Sequence, residues 1–174
     1  MSASHNTQSR ILDSEIIKAI LLANKANPQN AVHSIIEATN ITTAPEQRLG
    51  WALLEASALN PEEADITQEQ INSLLSALIE QGVDVNSTCQ SGNTALLEAD
   101  NENTISFLLS RGADPLIKNA NGLNIIQELA EEDYHTTSLA LVLASLNSKE
   151  ARIQALEEAY EEAPPTTLST ERRL

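Results

Sequence analysis

Three histidines, one cysteine and 25 acidic residues are the side chains in this 174-residue sequence that could bind a metal, attack a carbon centre or move a proton. Each of those chemistries needs a spacing. A metal site needs His or Cys donors gathered within a helical turn or a short loop, yet His5, His33 and His135 lie far apart and no two share a turn. His33 falls inside a helical pattern and reads as a partly exposed packing residue. Cys89 has Thr88, Gln90 and Ser91 beside it, none of them a base or cation that would activate a thiol. The acidic pairs Glu131-Glu132 and Glu157-Glu158 could do acid or base work, but adjacent residues point to different sides of a helix, so they read as solvated surface. HExxH, paired CxxC, a glycine-rich phosphate loop and a nucleophile elbow do not occur in the sequence. The expectation is a protein that is not an enzyme and holds neither cofactor nor metal.

Charge narrows the partners. With 10 basic residues the formal net charge is -15, which repels a phosphate backbone and an anionic membrane surface. Only Trp51, Phe107, Tyr134 and Tyr160 are aromatic, so a stacking platform for bases is also missing. No nucleic acid is expected; the charge reads as solubility or as a surface for a basic partner. Residues 1–10 are polar, and the longest apolar run, Ile16 to Ala23, contains Lys18 and is too short to span a bilayer. No membrane insertion is expected. A lone cysteine needs no oxidising compartment, so a cytosolic setting is expected and the triplets at Asn40 and Asn86 read as chance glycosylation matches.

The elements that would position any site are helices. Ala, Leu, Ile, Glu and Gln dominate, and apolar residues recur at helical spacing: Ile16, Ile17, Ile20 and Leu21; Val32, Ile35 and Ile36; Ile71, Leu74, Leu75, Leu78 and Ile79. The habit continues with Ile105, Leu108 and Leu109, then Leu139, Val142, Leu143 and Leu146. Short helices with one apolar face must pack on neighbours. Pro28 can open a helix, and Thr43 with Glu46 and Thr67 with Gln70 fit capping boxes. Gly82 and Gly112 each follow an apolar stripe, where a left-handed residue ends a helix.

Laid over itself, the chain repeats. Leu78 to Asn86 matches Leu108 to Leu116, thirty residues on, and Gly92 to Ala99 aligns with Gly122 to Leu129 at the same offset. Ala52-Leu53-Leu54-Glu55-Ala56 recurs letter for letter as Ala95-Leu96-Leu97-Glu98-Ala99, after an interval that leaves a loop around Asn60 to Asp65. Gly92-Asn93-Thr94-Ala95-Leu96 followed by Phe107-Leu108-Leu109-Ser110-Arg111-Gly112-Ala113-Asp114-Pro115 resembles the ankyrin-repeat family, convincingly over residues 70–125. The family's proline-leucine-histidine is replaced by Ala95-Leu96-Leu97 and Ile125-Ile126-Gln127, and the unit between Gly82 and Gly112 is about three residues short of the family's length. Its inner helix, or the turn after it, must be tight.

The resemblance implies an all-α fold, a short ankyrin-like stack of about three degenerate repeats with an N-terminal helical cap and a C-terminal helix. The expected layout is a flexible segment over 1–10, a capping helical pair over 11–44, and repeats over 45–147 (45–86, 87–118 and 119–147). A helix over 148–163 and a disordered tail over 164–174 complete it. Trp51 begins the first inner helix beside Gly50 and reads as core, or as an interface anchor if exposed. Ile153, Leu156 and Tyr160 form one face of the last helix.

The family binds protein partners through hairpin tips and inner helices on a concave face. By repeat position these are Ser87, Thr88, Gln90, Ser91 and Asn93, then Lys118, Asn119, Asn121 and Leu123, with Glu98 and Glu128 on the inner helices. Residues 157–174 carry a glutamate block, hydroxyl residues and a hydrophobic end, and resemble the export signal of type IV secretion effectors from intracellular bacteria such as Legionella; an ordinary acidic tail has the same composition. That resemblance implies an effector passed into host cytosol to bind a host protein or another effector. The alternatives are a resident bacterial chaperone or immunity-type inhibitor, and an enzyme whose active site shows only in three dimensions.

Overall fold

The computed structural model describes residues 14–24, 27–38, 45–64, 66–131, 136–146 and 149–162. Among them the regular structure is helical: α1 (Ser14–Ala23), α2 (Pro28–Ala38), α3 (Pro45–Ser57), α4 (Pro61–Ala64), α5 (Gln68–Glu80), α6 (Glu102–Ser110), α7 (Ile125–Glu131), α8 (Thr136–Ser145) and α9 (Lys149–Glu162). The helices form two rows. In the outer row α2 packs on α5, α5 on α6 and α6 on α8; in the inner row α1 packs on α3 and α7 on α9. Pairs α1–α2, α3–α5 and α7–α8 join the rows, which gives a short helical repeat stack.

The apolar stripes face the space between the rows. Ile17, Ile35, Leu53, Ile71, Leu74, Leu75, Leu78, Ile105, Leu108, Ile126 and Val142 are fully buried and belong to one continuous core. Such burial contributes about 1.5–3 kcal/mol per large aliphatic side chain, and it is what holds helices of 7 to 14 residues that would not persist alone.

Start and stop signals act as the sequence suggests. Thr67 Oγ1 accepts from the Gln70 amide at 3.2 Å and Gln70 Oε1 from the Thr67 amide at 2.8 Å, a complete capping box at the start of α5. Gly82 and Gly112 have φ of 90° and 89° after α5 and α6, and in each turn the next residue's amide reaches back to the helix, Val83 to Leu78 and Ala113 to Leu108. Pro28 and Pro45 begin α2 and α3. The box expected at Thr43 lies outside the described residues.

Three details differ from expectation. The loop around Asn60 contains a single helical turn, α4, whose Glu62 amide donates to Asn60 Oδ1 at 3.0 Å. Helix α3 starts at Pro45, so Trp51 sits at its middle, half-buried against the core. In α9 the face turned inward carries Ala155 and Ala159, buried, and Ala151 and Leu156, half-buried, while Ile153 and Tyr160 point to solvent. Small side chains let α9 lie close on α7, and helical spacing then carries Ile153 and Tyr160 outward together. Arg152 fixes the approach by donating to the Leu146 carbonyl at 3.0 Å and the Ala144 carbonyl at 3.3 Å, satisfying the end of α8.

The middle repeat has no inner helix. Residues 95–98 form one tight turn, with the Leu97 and Glu98 amides both returning to the Thr94 carbonyl at 3.1 Å and the Asp100 amide reaching the Ser57 carbonyl at 3.4 Å. Thr94 is already engaged in a β-bridge with Thr88, and Asn101 already caps α6 through the Thr104 amide at 2.9 Å. The span between those two anchors is too short to recover the cost of nucleating a helix. Outer helices α5 and α6 still meet, tied by Arg111, which donates to Ser76 Oγ at 2.6 Å and stacks 4.8 Å from the Phe107 ring centre.

Candidate functional site

Two hairpins project from the start of the second and third repeats. In the first, the Cys89 amide donates to the Asn93 carbonyl at 3.0 Å and the Gly92 amide to the Cys89 carbonyl at 2.9 Å; in the second, Asn119 donates to Leu123 at 2.8 Å and Gly122 to Asn119 at 2.9 Å. The same pattern thirty residues apart is the structural form of the repeat. The hairpins touch directly, because the Ala120 amide donates to the Ser91 carbonyl at 2.8 Å. Gly92, at φ 79°, makes the approach feasible: a Cβ there would stand 2.8 Å from the Ala120 nitrogen.

Side chains complete the seam. Asn119 donates through Nδ2 to Asn93 Oδ1 at 3.0 Å, while its Oδ1 accepts from the Asn121 and Leu123 amides at 2.9 and 3.1 Å. Asn93 in turn donates to Glu98 Oε1 at 2.6 Å. Three of the residues assigned to the partner surface, Asn93, Glu98 and Asn119, are therefore engaged within the chain. Ser87 also faces inward in part: its amide and hydroxyl both donate to the Asp84 carbonyl, and its Oγ would lie 3.3 Å from a Cβ on buried Gly50.

What faces solvent on this side is Thr88, Gln90, Ser91, Lys118 and Asn121, with Leu123 and Glu128 half-buried. These residues lie on one pair of joined hairpins and on α7 behind the second. One loop earlier, Asn86 bridges repeats in the same manner, with its Oδ1 accepting from the Asp114 amide at 2.8 Å and its Nδ2 donating to the Gly112 carbonyl at 3.3 Å. Its counterpart one repeat on is Leu116, which is exposed. The polar ties thus run along the loops and stop at the third repeat. Sequence reasoning placed these residues on the tips by repeat position and could not tell a free amide from one that closes a turn, because both are Asn in a polar loop.

The residues that might have done chemistry remain apart. His33 is exposed on α2 with its Nε2 3.2 Å from Glu37, one turn on. Cys89 Sγ stands 2.9 Å from Ser91 Oγ. Among the described residues there is no group of three or more His, Cys, Asp or Glu placed to hold a metal. No helix among them is long and apolar enough to cross a membrane. His5 and His135 lie outside the described residues.

A two-row helical stack with joined hairpins is the architecture of a repeat protein. Residues 91–120, which run from the second half of the first hairpin through the tight turn and α6 to the start of the second hairpin, match the family model described as Ankyrin repeat. Over those residues the chain is similar to an ankyrin repeat, a type of unit that commonly mediates protein–protein interaction. None of the curated proteins with which the chain was compared is similar to it.

Proposed function

We propose that the chain binds a protein partner through the hairpin pair of residues 87–94 and 119–123 and the inner row behind it, without catalysing a reaction. The observation that carries this reading is the backbone seam between Ser91 and Ala120. It fixes two tips in register, so Thr88, Gln90, Lys118 and Asn121 present a rigid polar edge that loses little entropy on docking. The test is affinity capture with the full chain and a variant carrying Thr88→Ala, Gln90→Ala, Lys118→Ala and Asn121→Ala. A partner held by the native chain and lost by the folded variant is expected; a partner held equally by both would place the binding surface elsewhere.

The narrower proposal is an effector exported by a bacterium to engage a host protein or another effector, and it rests on the composition of residues 157–174. Residues 163–174 lie outside the described residues. A reporter fused to the chain is expected to enter host cells and to stop doing so when residues 157–174 are removed. Retention in the bacterium by both forms would favour the resident chaperone or inhibitor.

A further inference from the structure

The loop asparagines differ in what holds them. Asn93 donates to Glu98 and accepts from Asn119, whose own carboxamide oxygen accepts from two backbone amides. Asn86 is tied at both ends of its carboxamide, to the Asp114 amide and the Gly112 carbonyl. Asn121 is exposed at the tip of the second hairpin, and no hydrogen bond holds its carboxamide among the described residues. It is also the one asparagine in the sequence that is followed by glycine. Gly122 stands at φ 83°, and a Cβ built on it would meet nothing within 4 Å, so the space around it is open. The counterpart of Asn121 in the first hairpin, thirty residues earlier, is Ser91, which has no carboxamide.

We infer that Asn121 is a site of spontaneous deamidation, with water as the co-reactant, and that its rate is set by the turn that holds the Gly122 amide. The Gly122 nitrogen attacks Asn121 Cγ and gives its proton to solvent. A new Cγ–N bond closes a five-membered imide, and the side-chain nitrogen takes a proton from solvent and leaves as ammonia. Water then breaks one of the two C–N bonds of the imide. Breaking the bond to Cγ gives aspartate, and breaking the bond to the main-chain carbonyl gives isoaspartate, with one extra carbon in the backbone. A side chain on the attacking residue crowds this step, and glycine has none. What opposes the attack is the turn, because the Gly122 N–H donates to the Asn119 carbonyl at 2.9 Å. Asn119 Oδ1, accepting from the Asn121 and Leu123 amides, and the Ala120–Ser91 bond brace that turn. The nitrogen must come free before it can react, and opening one such bond lowers the reactive population about two- to tenfold. The product adds a negative charge to the exposed edge that carries Lys118, and the longer backbone of isoaspartate separates the two amides that Asn119 Oδ1 accepts from together.

The test incubates the full chain in mildly alkaline buffer, folded and in urea, and follows the tryptic peptide after Lys118 by mass spectrometry, with fragment ions assigning the change to a residue. Conversion in the folded chain is expected at Asn121 ahead of Asn86, Asn93 and Asn119, and about two- to tenfold faster in urea. Asn119→Ala removes the side-chain brace and should raise the folded rate at least about twofold, toward the value in urea. Asn93→Ala removes only the bond from Asn119 to its neighbour and should act in the same direction by less, which keeps the comparison if the first variant does not fold; far-UV circular dichroism checks both. Asn121→Gln, whose imide would need a six-membered ring, should stop conversion at that position. In the converted chain the Ala120 amide should exchange its hydrogen faster than in the fresh one. Conversion at the other asparagines with none at Asn121 overturns the site. Equal rates folded and in urea, or a folded rate indifferent to both alanine variants, overturns the control by the turn. The readout needs no captured partner, so this inference and the protein-binding reading stand or fall separately.

Discussion

Replacing Gly92 and Gly112 by alanine, one at a time, separates backbone strain from inter-hairpin contact. Both residues hold positive φ, 79° and 89°, so each alanine carries the left-handed penalty of about 1–2 kcal/mol. At Gly112 an added Cβ meets nothing within 4 Å, and that penalty is the whole effect. At Gly92 it meets the Ala120 nitrogen at 2.8 Å and the Asn119 Cα at 3.0 Å, both backbone atoms that cannot swing away. The hairpins must part, and the 2.8 Å bond from Ala120 to Ser91 goes with them, a further ~0.5–1.5 kcal/mol. The Asn119–Asn93 amide bond at 3.0 Å weakens by the same displacement. Gly92→Ala should therefore destabilise by about 2–4 kcal/mol and Gly112→Ala by about 1–2 kcal/mol. Urea unfolding followed by far-UV circular dichroism measures both, with unchanged slopes as the sign that only stability has moved. In thermal melts the gap should be roughly 2–4 °C per kcal/mol for a chain of this length. Losses equal to within about 0.5 kcal/mol would refute the seam as a stabilising contact.

Leu108→Ala should cost about 2–5 kcal/mol, because the side chain is fully buried, whereas Gln90→Ala, at an exposed tip, should stay within about 0.5 kcal/mol; urea midpoints of the two variants decide it. Thr67→Ala removes one half of the capping box on α5 and should cost about 0.5–2 kcal/mol, with amide hydrogen exchange accelerating first at Gln70.

The parts of the fold legible in the sequence are those set by local chemistry. The buried side of α5 follows from the spacing of Ile71, Leu74, Leu75 and Leu78, and its start from Thr67 and Gln70. What escaped depends on which neighbours a segment meets. The letters Ala-Leu-Leu-Glu-Ala are helical at residues 52–56 and a single turn at 95–99, because the first copy lies within a 13-residue helix and the second is pinned between a β-bridge and a cap. The sequence pattern groups the large residues Ile153, Leu156 and Tyr160 on one face of α9, but contact with α7 selects the alanines. At the candidate site, position in the repeat located the tips, while the division of labour between Asn119, which closes a turn, and Asn121, which faces water, needed the hydrogen bonds.

The single turn at residues 95–98 also bears on how the molecule responds to force. Rigidity along a stack comes from having both rows continuous, and across the middle repeat only the outer row is continuous, through α5 and α6. Flexing therefore costs least at that repeat, with the Arg111–Ser76 bond and the hairpin seam resisting it from opposite sides. A stack braced by two rows in each half and by one row between them concentrates its compliance at the joint, so the angle between the halves is held chiefly by α5 and α6.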